Sequence, residues 1–206
     1  EKGLAFTGNT MIDTLVAFAE DIDQSPVLDT LGVAPGSYAL ATIHRPSNVD
    51  HKAGAELVLR IFERLCEKRK VVFPVHPRTA ARFSEFGLMS AFESLPGLVL
   101  TEPQGYFDFQ KLIAESVFVI TDSGGIQEET TFLRKPCLTL RPNTERPSTI
   151  EIGTNTLLDF DVDAIVRVAD SISDGTYKRG EVPRLWDGNA SHRVLSRISD
   201  FFENGY

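Results

Sequence analysis

Five short segments of the chain carry side chains suited to chemistry, and each follows an apolar run. They are His44-Arg45-Pro46-Ser47-Asn48, His76-Pro77-Arg78, Glu102-Pro103-Gln104, Asp122-Ser123-Gly124-Gly125 and Arg141-Pro142-Asn143-Thr144-Glu145-Arg146. An imidazole can move a proton near neutrality. A guanidinium holds phosphate through paired N–H donors. The Ser123-Gly124-Gly125 turn is the most informative of these features. Two glycines between an apolar run and a helical stretch present free backbone amides and the positive helix end to an anion. No G-x-G-x-x-G occurs, and no lysine follows as it would in a P-loop. The turn reads as a phosphate or diphosphate pocket of another type, or as a tight turn that glycine merely permits.

Glu128 and Glu129 fall in the first turn and a half of the helix that follows. Both can stabilise the helix dipole, worth about 0.3–1 kcal/mol each. Glu129 also lies one turn beyond Gly125 on nearly the same face. There its carboxylate can accept hydrogen bonds from a ribose diol while the amides below hold phosphates. His44 can contact a leaving phosphate, shuttle a proton, or be structural. Arg141 and Arg146 can face a phosphate or solvent. Phe107 and Phe109 read as core or pocket wall, with one available to stack on a base. His51 and His192 are assigned no role.

These residues meet only if the elements before them are aligned. Tyr38–Ile43, Val71–Val75, Leu98–Leu100, Val117–Thr121, Cys137–Leu140 and Thr156–Leu158 are apolar runs of strand length. Helical patterns separate them, the clearest being Leu57, Val58, Ile61, Phe62 and Leu65, with further runs near 106–115, 125–133 and 161–173. A last helix shows Val194, Leu195, Ile198, Phe201 and Phe202 in register. Near the start, Thr10-Met11-Ile12-Asp13 resembles a capping box. It opens a helix with Ile12, Leu15, Val16, Ala19 and Ile22 on one stripe. Residues Asp23 to Ser37 read as a connection. Short, nearly continuous apolar strands joined by helices predict an α/β fold with a doubly wound, Rossmann-like parallel sheet. In such a sheet the ligand crevice lies outside the carboxyl ends of the strands, where all five segments fall.

Composition limits the partners. The chain has 206 residues and a net charge of −8, which opposes broad nucleic-acid binding. No apolar run approaches the roughly 20 residues of a membrane span. The start, Glu1-Lys2-Gly3-Leu4-Ala5-Phe6, has no signal-peptide h-region. A cytoplasmic protein with no membrane and no nucleic-acid partner is expected. Cys66 and Cys137 have no metal-ligand spacing and are expected to be buried free thiols, with no metal site.

Taken in order, further motifs frame these segments. Gly8-Asn9-Thr10-Met11-Ile12-Asp13, Thr42-Ile43-His44-Arg45-Pro46-Ser47-Asn48, Val75-His76-Pro77-Arg78 and Pro103-Gln104-Gly105-Tyr106 precede the glycine turn. Thr121-Asp122-Ser123-Gly124-Gly125-Ile126-Gln127-Glu128-Glu129 and Thr144-Glu145-Arg146-Pro147 complete the set. Together they resemble the non-hydrolysing UDP-N-acetylglucosamine 2-epimerases over nearly the whole chain. Asp187-Gly188-Asn189-Ala190 with Arg193 is similar to that family's C-terminal helix opening. Where the family often has an acidic residue after the first arginine motif, this sequence has Ser47-Asn48 and offers no carboxylate.

The resemblance implies one half of a glycosyltransferase-B-like two-domain fold. Residues 1–37 would form the inter-domain helix and connection, and 38–206 the C-terminal UDP-binding domain. The N-terminal domain would be absent from this chain. It implies an enzyme that interconverts UDP-GlcNAc and UDP-ManNAc by eliminating UDP and adding it back. No cofactor is implied beyond the UDP moiety of the substrate. His44 matches a catalytic position near the diphosphate, with Ser123, Gly124 and Gly125 holding that diphosphate. Glu129 would hold the ribose, Gln104 and Phe109 the uracil end, and Arg146 another UDP contact. Arg45 and Arg141 are further candidates, and His76 matches a regulatory contact to a second UDP-GlcNAc. The family's proton-transfer residues would lie outside this chain, leaving the isolated domain inactive or nearly so. A homodimer is implied for the full-length protein. A glycosyltransferase or hydrolysing relative with the same UDP site, or a non-catalytic nucleotide-binding module, is the alternative.

Overall fold

Six strands form around the expected apolar runs: β1 (Tyr38–Thr42), β2 (Lys70–Pro74), β3 (Leu98–Thr101), β4 (Phe118–Thr121), β5 (Cys137–Leu140) and β6 (Asn155–Leu158). The structure is a computed structural model describing residues 4–204, so the start at Glu1–Gly3 lies outside the described residues. The strands pair in the order β3-β2-β1-β4-β5-β6, and every pairing is parallel. This is a doubly wound α/β sheet. Alternate residues feed the two faces, because side chains along a strand point in opposite directions. Ala39, Ala41, Val71, Phe73, Phe118 and Ile120 enter one core cluster, and Tyr38, Leu40, Val72 and Val119 the other.

The helices preceding β1 are α1 (Thr10–Ala17), α2 (Ala19–Asp23) and α3 (Val27–Leu31). The crossovers are α4 (Pro46–Val49), α5 (Lys52–Cys66), α6 (Pro77–Glu85), α7 (Met89–Ser94), α8 (Tyr106–Glu115), α9 (Gly124–Phe132) and α10 (Pro147–Glu151). Two more, α11 (Val162–Ser173) and α12 (Ala190–Asn204), end the described chain. Among the described residues no helix is long and apolar enough to cross a membrane.

The sequence pattern did not predict α4, α6 or α10, and all three begin on a proline. Proline suits the first helical position, where its missing N–H has no partner to lose. It also drives the residue before it out of the helical region. Arg45, His76 and Arg146 therefore stand as the N-caps of these helices, Arg45 and His76 in extended conformation. Three candidate site residues are thus positioned by the proline that follows them.

Three further expectations change. The helix expected from Thr10 to Ile22 is broken at Phe18, whose ring packs 5.3 Å from that of Phe107. Its N-cap is Asn9 rather than Thr10, with the Asn9 side chain accepting from Met11 N. Ile12, Leu15 and Ile22 are buried on its stripe, whereas Val16 is exposed. The expected connection from Asp23 to Ser37 contains α3, and its Val27 and Val33 enter the core. A helix of five residues is too short to display a period. The stripe on α12 lies largely at the surface, with Leu195 and Ile198 exposed and Phe202 more so.

Gly54, at the start of α5, lets α4 fold back over it. A Cβ there would collide with the backbone carbonyl of Asn48. Gly54→Ala is expected to lower the free energy of unfolding by about 1–3 kcal/mol, as overpacking does. Urea denaturation would show this as a lower midpoint, and an unchanged midpoint would refute it.

Candidate functional site

The strand order reverses between β1 and β4, so the carboxyl ends of these two strands open the crevice in which doubly wound sheets bind ligands. His44 and Arg45 follow β1; Asp122, Ser123 and Gly124 follow β4. Asp122 is fully buried and ties the two loops together. Its Oδ2 accepts from Arg45 N at 2.8 Å, His44 N at 3.1 Å and Asn48 Nδ2 at 2.9 Å. The Asp122 carbonyl accepts from Arg45 Nε at 2.7 Å. His44 Nδ1 stands 3.4 Å from Asp122 Oδ1, and the imidazole is 40% exposed toward the crevice. Asn48 thus anchors Asp122 through its side-chain amide. Asp122 was not foreseen as a site residue. The available signal was a carboxylate placed directly after four buried strand residues.

The glycine turn is secured from below. Ser123 N donates to Thr121 Oγ1 at 3.0 Å, and Gln127 Nε2 donates to the Ser123 carbonyl at 3.1 Å. Gln127 Oε1 in turn accepts from Thr144 Oγ1 at 2.6 Å and from Asn155 Nδ2 at 3.0 Å. Thr144 Oγ1 accepts from Arg146 N. This buried network fixes the loop from Arg141 to Arg146 against α9, a helix whose residues Gln127 to Thr131 are all polar and all buried. So polar a buried face needs partners; the loop supplies Thr144 and Arg146, and α1, α8 and β6 supply others through Asn9, Gln110 and Asn155.

Arg141 is nine-tenths buried and pairs with Glu145 at 2.9 Å. Its Nη1 is buried without a hydrogen-bond partner and lies 3.8 Å from where a Cβ on Gly124 would stand. Arg146 turns the other way, with Nε 3.3 Å from Glu128 Oε2. Glu128 also accepts from Asn9 Nδ2 at 2.8 Å, so it joins α1 to α9 rather than serving the helix dipole alone. Burial pushes the Glu128 carboxyl up, partly offset by Arg146 and Asn9. Glu129 is 8% exposed. Burial raises its carboxyl above the usual range, the Gln110 amide partly offsets this, and the Glu128 charge adds to it. The Glu129 charge in turn raises the Tyr106 phenol beyond what burial does. Tyr106 and Gln110, one turn apart on α8, therefore face Glu129.

The remaining candidates are placed further out. Gln104 folds back onto Thr101 Oγ1 and the Glu102 carbonyl, at 3.1 and 2.8 Å. Phe109 is half-buried against the cluster containing Val27 and Leu112, while Phe107 is exposed. His76 Nδ1 accepts from Arg78 N at 3.2 Å, and its ring lies 5.8 Å from that of His44. Arg78 is drawn away to Asp50, whose carboxyl it and Arg82 hold below the usual range. Cys66 and Cys137 are free, and burial pushes both thiols up to about 11. Among the described residues no cluster of three metal-binding side chains occurs.

The crevice brings the glycine turn together with His44, Arg45 and Arg141, and comparison with known proteins settles the family. The model of the UDP-N-acetylglucosamine 2-epimerase family matches residues 1–199. The chain belongs to that family. It is 34% identical over 200 residues to the UDP-N-acetylglucosamine 2-epimerase of Methanocaldococcus jannaschii, covering 95% of this chain and 54% of the relative. It is 34% identical over 207 residues to that of Bacillus subtilis, covering 97% and 52%. The crystal structure of the Methanocaldococcus jannaschii enzyme in complex with UDP-GlcNAc and UDP superposes with a TM-score of 0.80 at 31% identity, over 94% of this chain and 54% of that one. This epimerase-family chain therefore spans about half the length of the curated relatives it matches.

Proposed function

We propose that this chain is the C-terminal, UDP-binding half of a glycosyltransferase-B-like epimerase. The whole protein would interconvert UDP-GlcNAc and UDP-ManNAc. The observation that carries this reading is the Ser123-Gly124-Gly125 turn at the central crevice, with the unpartnered Arg141 Nη1 turned toward it. Backbone amides, the positive end of α9 and guanidinium groups on one spot fit a diphosphate. Glu129, one turn up α9, is placed for a ribose diol, and Gln104 and Phe109 are the candidates for the uracil end. Arg45 faces the same turn, while Arg146 and His76 are secondary contacts.

The reaction removes the C2 proton of the sugar and breaks the C1–oxygen bond, releasing UDP and leaving a glycal. Re-addition of UDP to C1, with a proton returned to the opposite face of C2, gives the epimer. This half would stabilise charge on the departing diphosphate with preorganised donors. His44 would hold a proton beside the leaving oxygen. The base at C2 would come from the other half of the protein. The exposed Leu195, Ile198 and Phe202 of α12 support such a partner domain. Alone, the chain is expected to bind UDP with little or no turnover.

Gly124→Val tests the reading. A branched side chain there covers the α9 amides; its Cβ would stand 2.6 Å from Glu145 Oε1, the free end of a half-exposed side chain that can move aside. UDP affinity by calorimetric titration is expected to fall about tenfold or more, roughly 1.4 kcal/mol. His192→Ala, on α12, is expected to change nothing. Equal UDP affinity in wild type and Gly124→Val would remove the diphosphate assignment.

A further inference from the structure

The Glu145 carboxylate lies against the glycine turn to which the proposed function assigns a diphosphate. Its Oε2 pairs with Arg141, and a Cβ built on Gly124 would stand 2.6 Å from its Oε1. Arg141, its own backbone N–H and the charge of Arg45 hold its carboxyl below the usual range. The carboxylate thus lies beside the first residue of α9 and is held by the cations that face the glycine turn. Arg141 is only half used by this arrangement. One arm of its fork meets Glu145, while Nη1 is buried with no partner on the side of Gly124. A guanidinium fork matches two oxygens of a phosphate, so a phosphate at the turn would satisfy both arms where Glu145 satisfies one. Glu145 itself is 50% exposed and can swing into solvent, whereas Arg141 is 10% exposed and is fixed.

We propose that Glu145 is an internal stand-in for phosphate, occupying the anion seat of the empty site and yielding Arg141 to the incoming diphosphate. This rests on the diphosphate reading of the site and adds a binding residue held in reserve, Arg141, with a competitor built into the same loop. A ligand must then bring enough negative charge to displace a carboxylate. Uncharged nucleosides gain nothing from the exchange, so the pair selects for the diphosphate end of the ligand.

Glu145→Gln keeps the size of the side chain and removes its charge. In the 206-residue chain, calorimetric titration is expected to show UDP bound about 3- to 10-fold more tightly by this variant, because a competing state is removed. Uridine, which carries no phosphate, is expected to bind wild type and variant equally. Arg141→Gln is expected to weaken UDP binding and to erase the gain when combined with Glu145→Gln, a coupling that independent sites would not show. Glu145→Ala should agree in sign with Glu145→Gln. If wild type binds UDP and Glu145→Gln binds it no more tightly, the stand-in is refuted while the diphosphate site stands. A gain for uridine equal to that for UDP would also refute it. If neither protein binds UDP, the site reading itself fails.

Discussion

Asp122→Ala is expected to destabilise the chain by about 2–4 kcal/mol, since each buried donor left unpaired costs about 1–3 kcal/mol. Three donors lose their acceptor at once: the backbone N–H groups of His44 and Arg45 and the side-chain amide of Asn48. None of them has an obvious replacement, because Asp122 is fully buried at the end of β4. The expected readout is a lower urea midpoint with an unchanged slope, the sign of lost stability without a change in the surface exposed. Asp122→Asn is the discriminating companion. It keeps an acceptor at the Oδ2 position, where the three donors converge, and is expected to lose less than half as much. Its amide then faces His44 Nδ1, which favours the imidazole tautomer with its proton on Nε2. UDP affinity should fall in Asp122→Ala, because the His44-Arg45 turn no longer has its anchor. An alanine variant as stable as wild type would show that water or Arg45 takes over the role assigned to Asp122.

Much of this arrangement was legible in the chain because short, continuous apolar runs leave little choice of partner. All six strand runs became strands, and a parallel sheet then sends every strand-end motif to one edge. The glycine turn was readable too, since its chemistry is local. What escaped falls into two kinds. The proline-led helices after β1, β2 and β5 were readable in principle, because proline announces both a first helical position and an extended residue before it. They show too few apolar positions to register as a period. The second kind is non-local. Asp13, read as part of a capping box for its own helix, instead accepts from Ala190 N at 3.0 Å and from Ser191 N, capping α12 at the far end of the chain. Glu128 is held by Asn9 and Arg146 from two other elements. Nothing in the residues adjacent to Asp13 or Glu128 could announce such partners. They become visible only once the sheet has brought distant segments together.

Glu129 exposes a conflict between folding and binding that one substitution can measure. A carboxyl raised by burial is ionised in the folded chain only at a penalty, fully present above its raised folded pKa and relieved as pH falls through it. The stability this group withholds is therefore regained only as pH falls from that raised value toward the ordinary glutamate range. Carboxylates held low by cations act in the opposite direction: Asp50 with Arg78 and Arg82, and Asp170 with Lys68 and Arg69, lose their contribution at lower pH still. Glu129→Gln removes the buried charge and is expected to raise the unfolding midpoint at pH 7. The same change removes the charge and turns one of the two carboxylate oxygens proposed for the ribose hydroxyls into a donor. Hydrogen bonds to charged groups are worth about 1.5–3 kcal/mol, so UDP affinity should fall roughly 10- to 150-fold. In wild type that affinity should also weaken as pH falls through the raised pKa, since a protonated carboxyl no longer accepts two hydroxyls. The phosphate titrates near pH 6, but it does so equally for both proteins, and the difference between them isolates Glu129. A variant that is more stable and binds UDP as well as wild type would show that Glu129 has no ligand contact. A variant that is less stable would instead make its carboxylate part of the fold.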